Sequence, residues 1–552
     1  MAVRTLYQTL LDTDAVRLRV LAEAWKVDFR STAHADRAAE LADMMARAPS
    51  VEAALAALSP EEQSALEEIQ RRGGVMPWPI FCRRWGEVRT VGSGRLEREQ
   101  LWRAPISTAE ALWYRGWIQR AFDRRWDDPV DVAFIPEELL LYMPSPPPLV
   151  IPSPLPCEAP EKQVLGGDSL ADDLLALWIA TVRHPLKSST LLAYEALLRK
   201  VHPPAILRLE LLHILALEQG WIKESEGAVL RLVPEAVGDW LSAGTWEQWQ
   251  ALGEAWISSH QWDDLAHVPT LRPDATKGWL PAPQRARQAF LDLLAHCQPR
   301  TWYNIDAFTA YVSEYGTDFL RPEGNYELWA PVDVATGTPL RGFESWHAVE
   351  GALVLFLLTG PLAWLGAIDL GSDETAQGWT SFRLSEAGAA WLQLASPPDI
   401  PPCPELVIDD DGSAIVPARR RYERFQLARV ADEVGRGDGH RFRFTPRSLQ
   451  AARQQRIPVK RILEFVAEST KQTLAPHLQW AIEHAYAGDR GATLDQVWLL
   501  RISDAETRRL PALAALVVEW LTPEVAVVRP EDRKRILAIL ARQGILVDGD
   551  DL

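Results

Sequence analysis

Gly116-Trp117-Ile118, followed by Val132-Ala133-Phe134-Ile135 and then Pro136-Glu137-Glu138-Leu139, is a pattern that this 552-residue chain repeats. A glycine leads an apolar run, polar residues intervene, a second apolar run follows, and a proline or serine with an acid ends the copy. The other two copies are Gly220-Trp221-Ile222 with Val229 to Val237, and Gly366-Ala367-Ile368 with Phe382 to Gly388. An internal repeat of this kind decides the fold, because each copy must be one unit of structure.

Each copy predicts the same local structure. The glycine can end a helix, and the two apolar runs on either side of a polar turn are typical of a β hairpin. Pro-Glu or Ser-Glu then starts a new helix, since proline fits its first turn and an acid suits its dipole. Three helical stretches precede every copy. The repeat therefore predicts tandem winged-helix-like modules, although any helical domain can end in a hairpin.

Two proline-rich stretches divide the chain, because prolines remove backbone donors and favour extended linkers. The predicted fold class is mainly α with α+β. The predicted segments are an N-terminal helical hairpin (1–50), winged-helix-like module 1 (51–143), a proline-rich linker (144–168), winged-helix-like module 2 with a tryptophan-rich helix (169–266), winged-helix-like module 3 (284–396), a second proline-rich linker (397–404) and an α+β domain (405–552).

The last segment, 405–552, has a different order of predicted helices and strands. Apolar runs flank Asp409-Asp410-Asp411-Gly412, which indicates a hairpin, and later strands are separated by helices, as in α+β domains. Three acids could supply oxygen ligands to a metal ion. Adjacent strand residues point in alternating directions, however, and the glycine marks a turn. The acids are better explained as a solvated hairpin tip.

This segment resembles the N-terminal domain of the XPB-type DNA helicases over residues 405 to 550. The resemblance is carried by Phe442-Arg443-Phe444-Thr445-Pro446-Arg447-Ser448-Leu449, by the helix from Ile462 to Ser469 and by Val528-Arg529-Pro530-Glu531-Asp532. Upstream, the helix from Trp246 to Ile257 is similar to a tryptophan-marked helix of bacterial helicase-associated domain proteins. The resemblance implies contacts with DNA or with partner proteins beside a helicase motor.

The chain has no motor of its own. It contains neither the G-x-x-x-x-G-K-[ST] phosphate loop nor an Asp-Glu-x-His box, so ATP-driven translocation lacks its chemistry. We also find no nucleophile motif and no paired metal ligands among the histidines. The sequence therefore predicts a protein that is not an enzyme and uses no cofactor, metal or small-molecule substrate.

The cysteines and the apolar segments indicate a cytoplasmic protein. Cys82, Cys157, Cys297 and Cys403 are isolated from one another, which favours reduced thiols. The longest apolar stretch, Ala352 to Leu370, is interrupted by glycines and a proline, so we expect a buried helix, a turn and a strand rather than a membrane span.

Positive charge is concentrated in one segment of an acidic chain. The net charge is −17, but Pro417 to Lys471 carries 14 Lys and Arg against 6 Asp and Glu. Guanidinium groups bind phosphate oxygens, so these cations are candidates for contact with DNA, with a smaller set in module 1. The candidate residues are Arg419, Arg420, Arg421, Arg424, Arg441, Arg443, Arg447, Arg453, Lys460 and Arg461, together with Arg83, Arg84, Arg124 and Arg125. Their alternative role is to be solvated or paired with acids of the same chain.

Two functions from different classes follow. The first is a non-catalytic, DNA-associated accessory protein that binds DNA through the basic segment and the first winged helix, and that scaffolds a separately encoded helicase or nuclease. The second is a protein-interaction scaffold or transcription-associated regulator with no direct DNA binding. A metal-dependent enzyme is a third and weaker possibility.

Overall fold

The computed structural model describes residues 5–123, 129–274, 282–373, 378–409, 412–437, 439–472, 474–488, 497–545 and 547. These residues belong to two compact units, Met1–Cys403 and Pro404–Leu552, called unit 1 and unit 2 below. The chain mixes helix and sheet, with helix in excess, which is compatible with the predicted α+β class. The division between the units lies at the second proline-rich stretch.

Unit 1 begins with four helices that share a hydrophobic core with the residues that follow them. The helices are α1 (Leu6–Leu11), α2 (Ala15–Ala24), α3 (His34–Met45) and α4 (Ala48–Ala56). One cluster of buried side chains includes Leu10, Leu21 and Met45 from these helices and Leu112 and Trp117 from beyond them. A segment of fifty residues cannot bury a sufficient core alone. The predicted helical hairpin is therefore built into the first module.

Module 1 combines a helical layer with a three-stranded sheet. Its elements are α5 (Pro60–Arg71), β1 (Val75–Pro77), α6 (Trp78–Trp85), α7 (Ser93–Glu99), α8 (Thr108–Tyr114), β2 (Gln119–Asp123), β3 (Val130–Phe134) and α9 (Glu137–Leu140). The hairpin β2–β3 forms where the repeat predicts it, and β1 pairs antiparallel with β3 to give the strand order β1-β3-β2.

The linker and module 2 come next. Their elements are β4 (Lys162–Val164), α10 (Ser169–Arg183), α11 (Glu195–Leu198), α12 (Ala205–Glu218), β5 (Ile222–Ser225), β6 (Val229–Leu232), α13 (Pro234–Ser242), α14 (Thr245–Ser258) and β7 (Leu271–Arg272). The predicted hairpin is β5–β6. A single antiparallel bridge between Lys187 and Val229 takes the place that β1 has in module 1.

Module 3 repeats the order of module 1. Its elements are α15 (Pro283–Leu294), β8 (Tyr303–Asn304), α16 (Ile305–Tyr315), β9 (Val332–Asp333), α17 (Ala352–Leu357), α18 (Ala363–Leu365), β10 (Ile368–Ser372), β11 (Ser381–Leu384) and α19 (Glu386–Trp391). The short strand β8 pairs with β11, the second strand of the hairpin, as β1 pairs with β3. β7 and β9 pair with each other.

The long apolar segment of module 3 is a core element. Phe343–Leu365 is long and apolar enough to cross a membrane, but 67% of its most apolar window is buried inside the protein. The helix is distorted at Gly360 and Pro361 before β10 begins. The prediction of a buried helix, a turn and a strand over this stretch is confirmed.

A left-handed glycine separates the last helix from the hairpin in all three modules. Gly116, Gly220 and Gly366 have φ values of 74°, 70° and 77°. This conformation is strained for residues with a Cβ, so the glycines can end the helices where other residues could not. The interpretation of these glycines as helix ends is confirmed.

The first proline-rich linker is partly a strand of module 3. β4 pairs antiparallel with β10, with Val164 opposite Leu370, so the sheet has the order β4-β10-β11-β8. Just after β4, the backbone of Gly167 packs closely against Gly366 of module 3. A Cβ on Gly366 would lie 2.0 Å from the carbonyl oxygen of Gly167. Lys162–Val164 contains no proline and can therefore donate to a ladder. The linker ties module 1 to module 3.

Unit 2 contains two antiparallel sheets. Its elements are β12 (Val407–Ile408), β13 (Ser413–Val416), α20 (Arg421–Val430), β14 (Asp432–Arg436), β15 (His440–Arg443), α21 (Pro446–Gln454), α22 (Val459–Thr470), α23 (Pro476–Ala487), β16 (Trp498–Arg501), α24 (Ala505–Arg508), α25 (Pro511–Ala514), β17 (Val517–Thr522), β18 (Val525–Val528) and α26 (Arg533–Arg542). The strand orders are β12-β13-β15-β14 and β16-β18-β17.

The end of unit 2 repeats the order of the modules in unit 1. Helix α23 is followed by the short strand β16, two short helices, the hairpin β17–β18 and helix α26. The strand order β16-β18-β17 matches β1-β3-β2, because the short first strand again pairs with the second strand of the hairpin. No glycine precedes β17, so this copy lacks the signal that revealed the other three.

The packing at Gly366 leads to a testable prediction. Gly366→Ala places a Cβ against the backbone of Gly167 and forces alanine into a left-handed conformation, so we expect a loss of about 3 kcal/mol or more. Gly220→Ala is the matched control, because its φ is similar but nothing lies within 4 Å of the added Cβ. It should lose only about 1 kcal/mol. Calorimetric unfolding of both variants measures the difference, and equal losses would contradict the close packing of the Gly167 backbone against Gly366.

Candidate nucleic-acid interface

Strand β15 places two of the predicted arginines on one face of its sheet. Arg441 and Arg443 are exposed, whereas His440 and Phe442 between them are buried. This alternation follows from the two-residue period of a strand. On the neighbouring strand Ile415 lies opposite Arg441, and Ser413 lies opposite Arg443. Both side chains therefore extend from the same side of the sheet, where Arg443 also donates to the hydroxyl of buried Ser413 at 3.4 Å.

The run Arg419-Arg420-Arg421 is divided by the start of α20. Arg419 lies in the preceding turn and is exposed. Arg420 is half-buried and forms ion pairs with Glu405 at 2.7 Å and Glu423 at 2.6 Å. Arg421 is only 1% exposed. Successive residues at a helix start point in different directions, so only one of these three predicted contacts is available to a phosphate.

Arg424 is also directed inward. It is buried on α20, and its Nη1 donates to the carbonyl of Ala418 at 2.7 Å. Because Arg420, Arg421 and Arg424 stabilise the fold of unit 2, we remove them from the candidate interface. Four of the remaining predicted cations follow β15 along the chain and are all exposed. They are Arg447 and Arg453 on α21, and Lys460 and Arg461 on α22.

We call the predicted candidate cations of unit 2 that are exposed the basic set. Its members are Arg419, Arg441, Arg443, Arg447, Arg453, Lys460 and Arg461. Within the described part of the chain, no ion pair engages Arg419 or Arg447. Arg441 lies 3.5 Å from Asp409, and both side chains are more than 40% exposed. Exposed ion pairs of this kind contribute little to stability, so a phosphate can displace the Asp409 carboxylate from Arg441.

Acidic residues near the basic set are paired with cations, two of which belong to the set. Lys460 and Arg461 both contact Glu464, at 3.7 and 3.6 Å. Glu405 forms an ion pair with Lys471 at 2.6 Å in addition to the one with Arg420. The hydrogen bond from Lys471, together with the charge of Arg420, lowers the pKa of the Glu405 carboxyl below its ordinary value. Glu405 therefore stays ionised and holds the start of unit 2 in place.

Aromatic side chains contribute less to this surface than the sequence suggested. Phe425 is buried, and Tyr422 is 38% exposed with its ring against Phe465. Sequence reasoning did not single out Trp480 on α23, which is 47% exposed and lies over His484. Its position beside polar Gln479 and Glu483 could have indicated an exposed tryptophan.

The predicted cations of module 1 have a different role. Arg83 donates to both carboxylate oxygens of Asp318 in module 3 at 2.6 Å. Its guanidinium carbon lies 5.1 Å from the Tyr326 ring and 4.8 Å from the Phe343 ring. Arg83 thus joins α6 to module 3 and is not available for DNA. Arg84 is exposed and pairs with Glu68 at 2.9 Å. Arg124 and Arg125 lie outside the described residues.

The helices that lead into the hairpins of unit 1 do not present a DNA-reading surface. They are α8, α12, and α17 with α18. In α8 five of seven residues are buried, and the guanidinium of Arg17 on α2 covers Trp113 at 3.5 Å. Helix α12 carries one cation, Arg208, which is buried and paired with Asp173. The helices α17 and α18 carry no cation. These helices are therefore packing elements within unit 1.

No group of three or more His, Cys, Asp or Glu side chains is placed to hold a metal ion within the described ranges. No protein-family model matches the chain, and no curated protein is similar to it.

The role of Arg83 can be tested by stability. Arg83→Ala leaves Asp318 without its partner in a contact where both side chains are mostly buried, so we expect a loss of about 2 kcal/mol or more. Arg84→Ala is the neighbouring control and should lose less than about 1 kcal/mol, because the Arg84 side chain is exposed and Glu68 keeps Arg72 and the Trp85 indole as partners. Denaturant unfolding measures both values. An Arg83 variant as stable as the Arg84 variant would contradict the docking role.

Proposed function

We propose that this chain is a non-catalytic, DNA-associated accessory protein. In this proposal the basic set of unit 2 contacts DNA, and unit 1 scaffolds a separately encoded DNA-processing partner such as a helicase or nuclease. The observation that carries the proposal is the exposure of seven cations on one sheet, one turn and two helices of an otherwise acidic protein. Exposed Lys and Arg supply most of the affinity of proteins for DNA phosphates.

We further propose that the three modules of unit 1 are winged helices. The support is their shared order of a helix, a short strand or bridge, two or more further helices and a hairpin, with the first strand paired to the second hairpin strand. The burial of the helices that lead into the hairpins favours use of these modules as scaffold rather than as DNA readers. This revises the expected role of the first winged helix in binding DNA.

The resemblance of unit 2 to the N-terminal domain of XPB-type helicases is part of this proposal. It supports a place beside a motor protein, since the chain lacks motor motifs. A cytoplasmic location belongs to the same proposal and fits the four free cysteines.

Salt-dependent DNA binding tests the proposal. We expect the full chain to bind double-stranded or forked DNA with an affinity that falls as salt rises. Replacing Arg419, Arg441, Arg443 and Arg447 by alanine should raise the Kd more than tenfold. If each contacts a phosphate, the slope of log K against log salt should fall by about three to four. Fluorescence anisotropy over a salt series measures both effects.

The control variant replaces four cations of unit 1 that are more than half exposed, namely Arg19, Arg98, Arg199 and Arg300. It removes the same charge and should leave DNA affinity within about threefold of the original. Equal losses in both variants would mean that binding depends on net charge rather than on the basic set.

The second candidate is a protein-interaction scaffold without DNA binding. The net charge of −17 and the burial of the helices that lead into the hairpins of unit 1 favour it. It predicts no shift with single-stranded, double-stranded or forked DNA even at low salt, and co-purification of a partner protein. The anisotropy series separates the two candidates, since only the first predicts binding that rises as salt falls.

A further inference from the structure

Trp480, on helix α23 of unit 2, is the most exposed tryptophan among those that the structure describes. It is 47% exposed, whereas the largest buried side chains of the protein include the indoles of Trp178, Trp256 and Trp262. An indole is a flat apolar ring, and such rings stack on other flat rings. The exposed surface of Trp480 is therefore suited to a ligand that also carries a flat ring.

A neighbouring histidine sets the orientation of this indole. The ring of His484 lies one helical turn further along α23, with its centroid 4.0 Å from that of Trp480 and its plane tilted by 33°. Nδ1 of His484 donates to the carbonyl oxygen of Trp480 at 2.9 Å, which fixes the imidazole in turn. A side chain that is already ordered loses less conformational entropy when a ligand binds to it.

Arg453 of the basic set lies at the C-terminal end of the helix face that carries Trp480. Its Nη1 donates to the carbonyl of Ala487 at 3.0 Å. Ala487 follows Trp480 by seven residues, or about two helical turns, so the two residues lie on one face about 10 Å apart. A guanidinium group has five N–H donors, so this one bond leaves Arg453 able to contact a phosphate.

Arg441 of the basic set lies near the N-terminal end of the same helix. A Cβ on Gly412, in the turn between β12 and β13, would lie 3.5 Å from Cδ2 of Leu478 on α23. Asp409 of that turn lies 3.5 Å from Arg441. Helix α23 therefore has one cation of the basic set near each end. A DNA strand whose phosphates contact both cations would run along the helix that carries Trp480.

We propose that Trp480 stacks on an unpaired DNA base, so that the protein binds forked DNA more tightly than a duplex. This inference rests on the proposed function, in which the basic set contacts DNA. Every nucleobase has a π face on which an aromatic side chain can stack. Within a duplex these faces are covered by the neighbouring base pairs, so the indole can reach a base only where the strands are separated.

Fluorescence anisotropy tests the inference with three labelled DNAs, namely a single strand, a fork and a blunt duplex with equal numbers of phosphates. Stacking of one base strengthens binding about fivefold or more, so the fork should bind at least about fivefold tighter than the duplex. Trp480→Ala should raise the Kd for the single strand and the fork by about fivefold or more, and change the Kd for the duplex less than about twofold.

Two further variants control for the loss of the indole. Trp480→Phe keeps an aromatic ring on α23, so its Kd for the fork should stay within about threefold of the original. Trp520→Ala is the matched control, because Trp520 is an exposed tryptophan of the same unit but lies on β17, outside the sheet and helices that carry the basic set. It should leave the Kd for the fork within about twofold of the original. Circular dichroism verifies that each variant is folded.

The outcomes separate this inference from the proposed function. A fork that binds no tighter than the duplex would overturn the stacking, and so would equal effects of Trp480→Ala on the two DNAs or of Trp480→Ala and Trp520→Ala on the fork. In these cases the proposed function stands as long as affinity falls when salt rises. Absence of binding to all three DNAs at low salt would overturn the proposed function and the stacking together.

Discussion

A backbone with positive φ ends the last helix of each module in unit 1, and the path of the chain beyond that helix depends on it. Gly116, Gly220 and Gly366 turn the chain out of the helix and into the hairpin. At Gly366 the missing side chain also leaves room for Gly167, so that β4 can reach its place in the sheet of module 3. One residue type thus determines both the local turn and a contact about 200 residues away.

The sequence predicted the strongly patterned elements well. The hairpins β2–β3, β5–β6 and β10–β11 form where the repeat predicts them, because two apolar runs flank a polar turn in each copy. The short strands β1, β4 and β8 were missed, since two or three residues carry no periodic signal and their partners lie far along the chain. The fourth copy, at the end of unit 2, was missed because no glycine precedes β17.

Charge counting identified the basic segment but not the direction of its side chains. Arg419 and Arg421 look alike in the sequence, yet one is exposed and the other is buried where α20 begins. Arg83 could not be recognised as a docking residue, because Asp318 is 235 positions away. Only three-dimensional packing separates cations that stabilise the fold from cations that can reach a phosphate.

The pairing of β4 with β10 also constrains the order of folding during synthesis. Val164 leaves the ribosome 206 residues before its partner Leu370. At roughly 5 to 20 residues per second, this delay lasts about 10 to 40 s. Over that interval Lys162–Val164 has no sheet to join, while module 2 can already fold between the two strands. Closure of this long loop is therefore a late step. If module 2 is already compact by then, the flexible chain that must be closed is shorter, and the entropic cost of closure is smaller.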